Sequence, residues 1–83
     1  MAVELLTGSG VTYVDTEVPA GTINGANAVF TLANAPSPAA SLQLYLNGVL
    51  QRPGGVDYTL SGLTITYVTA PLTGETHVCW YRR

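Results

Sequence analysis

The sequence predicts an all-β domain, a small antiparallel sandwich or barrel of about six to eight short strands behind an N-terminal arm. Three observations predict it. Apolar and polar residues alternate with period two in several short runs, most clearly Leu42, Leu44 and Leu46 around Gln43 and Tyr45. Turn-forming Gly, Pro and Asn residues separate these runs. No eleven-residue window carries the apolar spacing of a helix.

Residues 1–10 read as the arm, with the apolar patch Val3-Glu4-Leu5-Leu6 ahead of a Gly8-Ser9-Gly10 break. The single β domain spans residues 11–83. Its first strand is expected within Val11–Val18, where VTYVDTEV alternates. Pro19-Ala20-Gly21 and Asn24-Gly25-Ala26-Asn27 are turn material around Ile23. A short strand, Val29-Phe30-Thr31-Leu32, follows, with Phe30 and Leu32 on one face. Ala35-Pro36-Ser37-Pro38 blocks any continuation, because each proline removes a donor and fixes φ.

The Leu42–Leu46 strand meets Asn47-Gly48, two residues that accept the positive φ of a type I′ turn, and Val49-Leu50-Gln51 pairs back. After Arg52-Pro53-Gly54-Gly55, the pattern places Val56, Tyr58 and Leu60 on one face. Ser61-Gly62 turns the chain into a strand with Leu63, Ile65 and Tyr67 inward. Ala70–Gly74 is the last loop. In the final strand, Thr76–Tyr81, Val78 and Trp80 are expected on the core face, opposite His77, Cys79 and Tyr81.

Composition narrows the function classes. A chain of 83 residues makes one domain. At that size it buries roughly 60–65% of its unfolded surface, which leaves a thin stability margin. The single Cys79 cannot form an internal disulfide, and one His with one Cys is too few for an ordinary structural zinc site. Oligomerisation or docking on a larger body is the remaining remedy. Charged residues make up 10% of the chain, against about 25% in an average domain. Lysine is absent and the net charge is −2. Nucleic acid is therefore an unsuitable partner, since phosphate neutralisation needs a basic patch. No run is apolar enough for a membrane span. The N-terminus lacks the basic and apolar regions of a secretory signal, so synthesis in a cytoplasm without cleavage is expected.

Candidate chemistry is sparse. His77 is the sole imidazole, and none of the four serines sits in a nucleophile-elbow pattern. His77 and Cys79 would share a strand face, but two ligands do not make a metal site. Cys79 suits a small core or interface position. Asp57 suits a turn hydrogen bond, and Asp15 with Glu17 would share a face as a carboxylate pair. The glycines fall between strands, with no following helix to cradle phosphate. The expectation is no enzyme, no cofactor and no metal. Tyr13, Tyr45 and Tyr81 could make an aromatic platform for sugars, with Trp80 assigned to the core.

One succession of segments goes beyond ordinary β-sheet grammar. Gly21-Thr22-Ile23-Asn24-Gly25, Val29–Leu32, Pro36-Ser37-Pro38, Ser41–Gln51, Val56–Leu60 and Thr64–Tyr67 together resemble a small β-module of tailed-bacteriophage virions. Such modules occur in head-decoration or head-fibre proteins, tail fibres and minor structural proteins. The likeness runs from about Val18 to Tyr81, and no catalytic residues come with the family. It implies a virion structural protein, made in the host bacterial cytoplasm. A module standing alone behind a short arm looks most like a capsid decoration or cement-type protein, bound in many copies to the particle surface. The implied partners are the major capsid protein or tail proteins, and other copies of the chain; a trimer would suit local three-fold positions of a head. The alternative is a tail- or fibre-associated adhesion module that binds host-surface glycans. Val3, Leu5 and Leu6 of the arm and Tyr13, Tyr45 and Tyr81 are the expected contact residues.

Overall fold

A computed structural model of the chain describes residues 12–83. The arm expected over residues 1–10, with Val3, Leu5 and Leu6, lies outside them. The described residues form seven strands: β1 Tyr13–Glu17, β2 Val29–Thr31, β3 Gln43–Leu46, β4 Val49–Leu50, β5 Tyr58–Ser61, β6 Thr64–Tyr67 and β7 His77–Arg82. A single 3-10 turn, Ala39–Ser41, leads into β3. The strands make a four-stranded sheet in the order β1-β7-β3-β4 and a three-stranded sheet in the order β2-β6-β5. All pairings are antiparallel.

The inner faces of the two sheets supply the core. Leu42, Leu44, Cys79 and Tyr81 come from the first sheet and its entry, and Phe30, Leu32, Tyr58, Ile65 and Tyr67 from the second and its margin. Phe30 meets the Tyr67 ring edge-on at 5.6 Å, a geometry that matches the positive edge of one ring to the negative face of the other. The chain closes on itself because β7, the last strand, enters between β1 and β3. Its central place gives it two hydrogen-bonded neighbours, and the main chain of Thr12 and Arg83 extends the β1–β7 ladder by one pair.

The hairpins follow from local chemistry. Asn47 (φ 53°) and Gly48 (φ 79°) both adopt the left-handed backbone that the β3–β4 turn needs. Ser61 pairs with Thr64, so the β5–β6 turn is Gly62-Leu63, with Gly62 at φ 58°. Leu63 therefore turns out of the strand and is 42% exposed, whereas the alternation placed it inward. Its carbonyl instead accepts the Leu32 N–H at 2.8 Å.

Val56 also departs from the expected inward face and is 57% exposed. Asp57 takes the Arg52 N–H on its carboxylate at 2.8 Å and gives its own N–H to the Arg52 carbonyl at 3.0 Å. That double contact curls residues 52–57, and β5 begins only at Tyr58. The turn role expected of Asp57 is the one it performs.

Two corrections concern the sheet that carries the surface of interest. In β1, Val14 pairs with Tyr81 and Glu17 with Cys79, so three steps on one strand oppose two on the other. This is a β-bulge, and Thr16 within it has φ 55°. The inserted residue reverses the alternation, so Asp15 stays exposed while Glu17 turns inward. They do not form a carboxylate pair.

In β7 the two faces are the reverse of those expected. His77, Cys79 and Tyr81 are buried, and Val78 and Trp80 point outward. The register decides this. Directly paired residues share a face, and Cys79 pairs with Leu44, which is fully buried. Tyr45 with Val78 and Gln43 with Trp80 must then lie outside.

Candidate functional site

The strongly polar atoms turned inward on β7, those of His77 and Tyr81, all have hydrogen-bond partners, which makes the inversion tolerable. The Pro19 carbonyl accepts from His77 Nε2 at 3.2 Å. Because a carbonyl only accepts, Nε2 carries the proton and Nδ1 receives the Tyr67 hydroxyl at 2.9 Å. Phe30 closes the imidazole edge-on at 4.7 Å. Burial pushes the His77 pKa below its usual value, opposed in part by the Pro19 bond. With both nitrogens engaged, this histidine has no free atom for a substrate or a metal.

Cys79 is equally committed. It is fully buried, and burial, with the nearby Glu17 charge, pushes its thiol up to about 12. A neutral thiol without solvent access is a packing residue. Tyr81, expected as a contact residue, is buried instead. Its hydroxyl donates to Glu17 Oε1 at 2.5 Å and accepts the Asn34 N–H at 3.2 Å. The other Glu17 oxygen accepts the Ala33 N–H at 2.7 Å. Burial first, then the bond to Glu17, raises the Tyr81 pKa. The network ties β1 and β7 to the chain leaving β2. Among the described residues, no three of His, Cys, Asp and Glu are grouped to hold a metal.

The outer face of the four-stranded sheet has a different character. Trp80 and Tyr45 meet edge-to-face at 5.5 Å with ring planes 89° apart. Gln43 and Val78 complete the strip on β3 and β7, and Gly48 borders it at the hairpin. Together these residues line a hollow of about 350 Å³. A second hollow of about 290 Å³ shares Gln43 and Trp80 and continues toward Tyr13, Asp15, Ser41 and Arg82. Tyr13, opposite Arg82 in the register, is 69% exposed. Leu50, opposite Tyr45, extends the apolar surface at the other end.

The face is thus uncharged at its centre, aromatic along its length, and bordered by one acid and one arginine. Of the expected contact residues it unites Tyr13 and Tyr45 and excludes Tyr81. The alternation alone missed Trp80, Val78 and Gln43; the signal that finds them is the pairing of β7 with the leucine strand. Compared with family models, curated proteins and solved structures, the chain matches none of them.

Proposed function

We propose that this chain is a structural protein of a tailed-phage virion, of the capsid decoration or cement type, which docks through the outer aromatic face of its four-stranded sheet. The observation that carries the proposal is the Trp80–Tyr45 pair at the centre of that face, with Tyr13 and Arg82 beyond it. Trp, Tyr and Arg are the residues that concentrate binding energy at protein interfaces, most of all where surrounding contacts exclude water. A nearly uncharged centre costs little desolvation when a partner covers it. The sequence likeness supplies the virion setting, and the inward commitment of His77 and Cys79 favours a mechanical role over a catalytic one.

The mechanism is linkage. A subunit that binds the assembled lattice and not the opened one stabilises the lattice by RT ln(1 + [L]/Kd), about 2.7 kcal/mol at a hundredfold excess over Kd. Many copies acting at many junctions multiply that effect, and association of the chain as a trimer would match three-fold positions on a head. Particles of the encoding phage, purified and analysed by mass spectrometry, should contain the chain in many copies. Its absence from purified particles would overturn the proposal.

A second reading rests on one specific observation. Gln43 brings a carboxamide beside the Trp80 and Tyr45 rings in the same hollow, and an aromatic surface with a neutral hydrogen-bonding group suits a neutral sugar ring. In that reading the module is a tail- or fibre-associated adhesin for host-surface glycans. Titration with neutral oligosaccharides, followed by Trp80 fluorescence, separates the two. Saturable binding favours the adhesin, and no response alongside attachment to particles favours the decoration protein.

A further inference from the structure

Between the last residues of β3 and β6, Leu46 and Tyr67, lies a hollow of about 230 Å³. Its rim is apolar: Val56, Val68 and Leu72 line it and are each more than half exposed. Three such side chains around one opening make a patch rather than scattered single residues, and a patch of this kind marks a contact surface. Half-buried Asp57 and Glu75 line the same hollow. Asp57 takes the Arg52 main-chain N–H, and Glu75 takes the Leu72 N–H at 2.7 Å on one oxygen and the Asn47 side-chain amide at 3.1 Å on the other. These neutral donors hold both carboxylates in place without cancelling their charge, and among the described residues no cation lines the hollow. The space is below the roughly 300–1,000 Å³ of clefts that take whole ligands. It suits one inserted side chain, long, apolar along its stem and cationic at its tip.

The chain has no lysine, and its cations are Arg52, Arg82 and Arg83. Arg52 is exposed on the loop that Asp57 closes, and Arg82 borders the aromatic face together with Asp15. Arg83 stands at the far end of β7 from the hollow: Glu75 precedes that strand and Arg83 follows it, so its length, about 17 Å for six residues, separates the two. No single side chain spans that distance within one molecule. Arg83 is exposed, and two main-chain bonds with Thr12 present it from an ordered end. We infer that the hollow receives Arg83 of a second copy, head to tail. The aliphatic stem rests on Val56, Val68 and Leu72, and the guanidinium turns its fork of N–H donors to Asp57 and Glu75. Socket and plug are different parts of the chain, so the contact is heterologous and closes as a ring where the rotation per copy allows it. The inference holds whatever covers the aromatic face.

The test is sedimentation velocity of the full chain over a rising concentration series, with two variants. Arg83→Glu keeps the socket and loses the plug; Val68→Arg keeps the plug and fills the socket. Wild type should associate, and each variant alone should need more than about tenfold higher concentration to do so. Mixed one to one, the variants should pair as a dimer and go no further, because only one complete contact can form. Circular dichroism checks that both are folded, and Leu72→Arg, on the same rim, replaces Val68→Arg if that variant is not. A wild type that stays monomeric throughout would overturn the inference. So would an Arg83→Glu chain that associates as wild type does, or a mixture that forms no dimer.

Discussion

Replacing Trp80 by Ala separates the two possible roles of the largest side chain on β7. In a core position, Trp→Ala costs about 3–5 kcal/mol through lost burial and a cavity. The structure places Trp80 half-buried on the outer face, touching Tyr45 edge-to-face and standing opposite Gln43. What is lost there is an aromatic pair worth about 0.5–1.5 kcal/mol and part of the side chain's own burial. No cavity opens, because solvent fills the space. The expected loss is about 1–2 kcal/mol, set against about 2–5 kcal/mol for Leu44→Ala on the fully buried face of β3. Urea unfolding followed by circular dichroism reads both. With a slope near 1 kcal/mol/M for a small domain, the midpoint should fall by about 1–2 M for W80A and further for L44A. A loss for W80A equal to or above that for L44A would refute the assigned register of β7.

Three further outcomes follow from the buried groups. His77 has a folded-state pKa below its unfolded value, so the unfolded chain takes up the proton first as pH falls. The stability is complete above the unfolded value near 6.5 and is lost as pH drops below it, by at most about 1.4 kcal/mol per unit for one proton. Urea midpoints at pH 7.5 and 5.5 should show the decline, and a matching decline in His77→Phe would assign it elsewhere. Cys79 should resist a thiol reagent at pH 8 in the native chain and react promptly in urea; stoichiometric labelling of native protein would contradict its burial. Glu17→Gln puts an amide group where a carboxylate oxygen accepts from Tyr81 or Ala33, and should cost about 1–3 kcal/mol. In a double-mutant cycle with Tyr81→Phe the two losses should fall well short of additive, and simple additivity would remove the bond from the account.

The central hairpin was legible because its signals agree. Leu42 and Leu44 mark one face of β3, and Asn47-Gly48 matches the turn backbone. The Phe30 and Leu32 face of β2 was legible for the same reason. The faces of β7 were not, since Val78/Trp80 and His77/Cys79/Tyr81 are both plausible inward sets by hydrophobicity. Only the pairing of Cys79 with Leu44, and partners for the His77 and Tyr81 polar atoms, decides between them. The β1 bulge was hidden because Thr16 takes a left-handed backbone without a glycine to signal it. Val56 and Leu63 alternate correctly in sequence, but each lies one step inside a turn. The aromatic face is therefore half legible: Tyr13 and Tyr45 lie on it, Tyr81 is buried on the other side, and Trp80, which alternation puts in the core, stands outside.

The proposed docking face is tested most directly by attachment. On the proposed virion role, phage particles lacking this chain would be mixed with purified wild type or with a Trp80→Ala, Tyr45→Ala variant, then sedimented. Hot-spot residues cost about 2 kcal/mol or more each, which is more than an order of magnitude in Kd. The account predicts that wild type pellets with the particles and that the variant, folded by circular dichroism, stays in the supernatant. A folded variant that pellets as wild type does would contradict it.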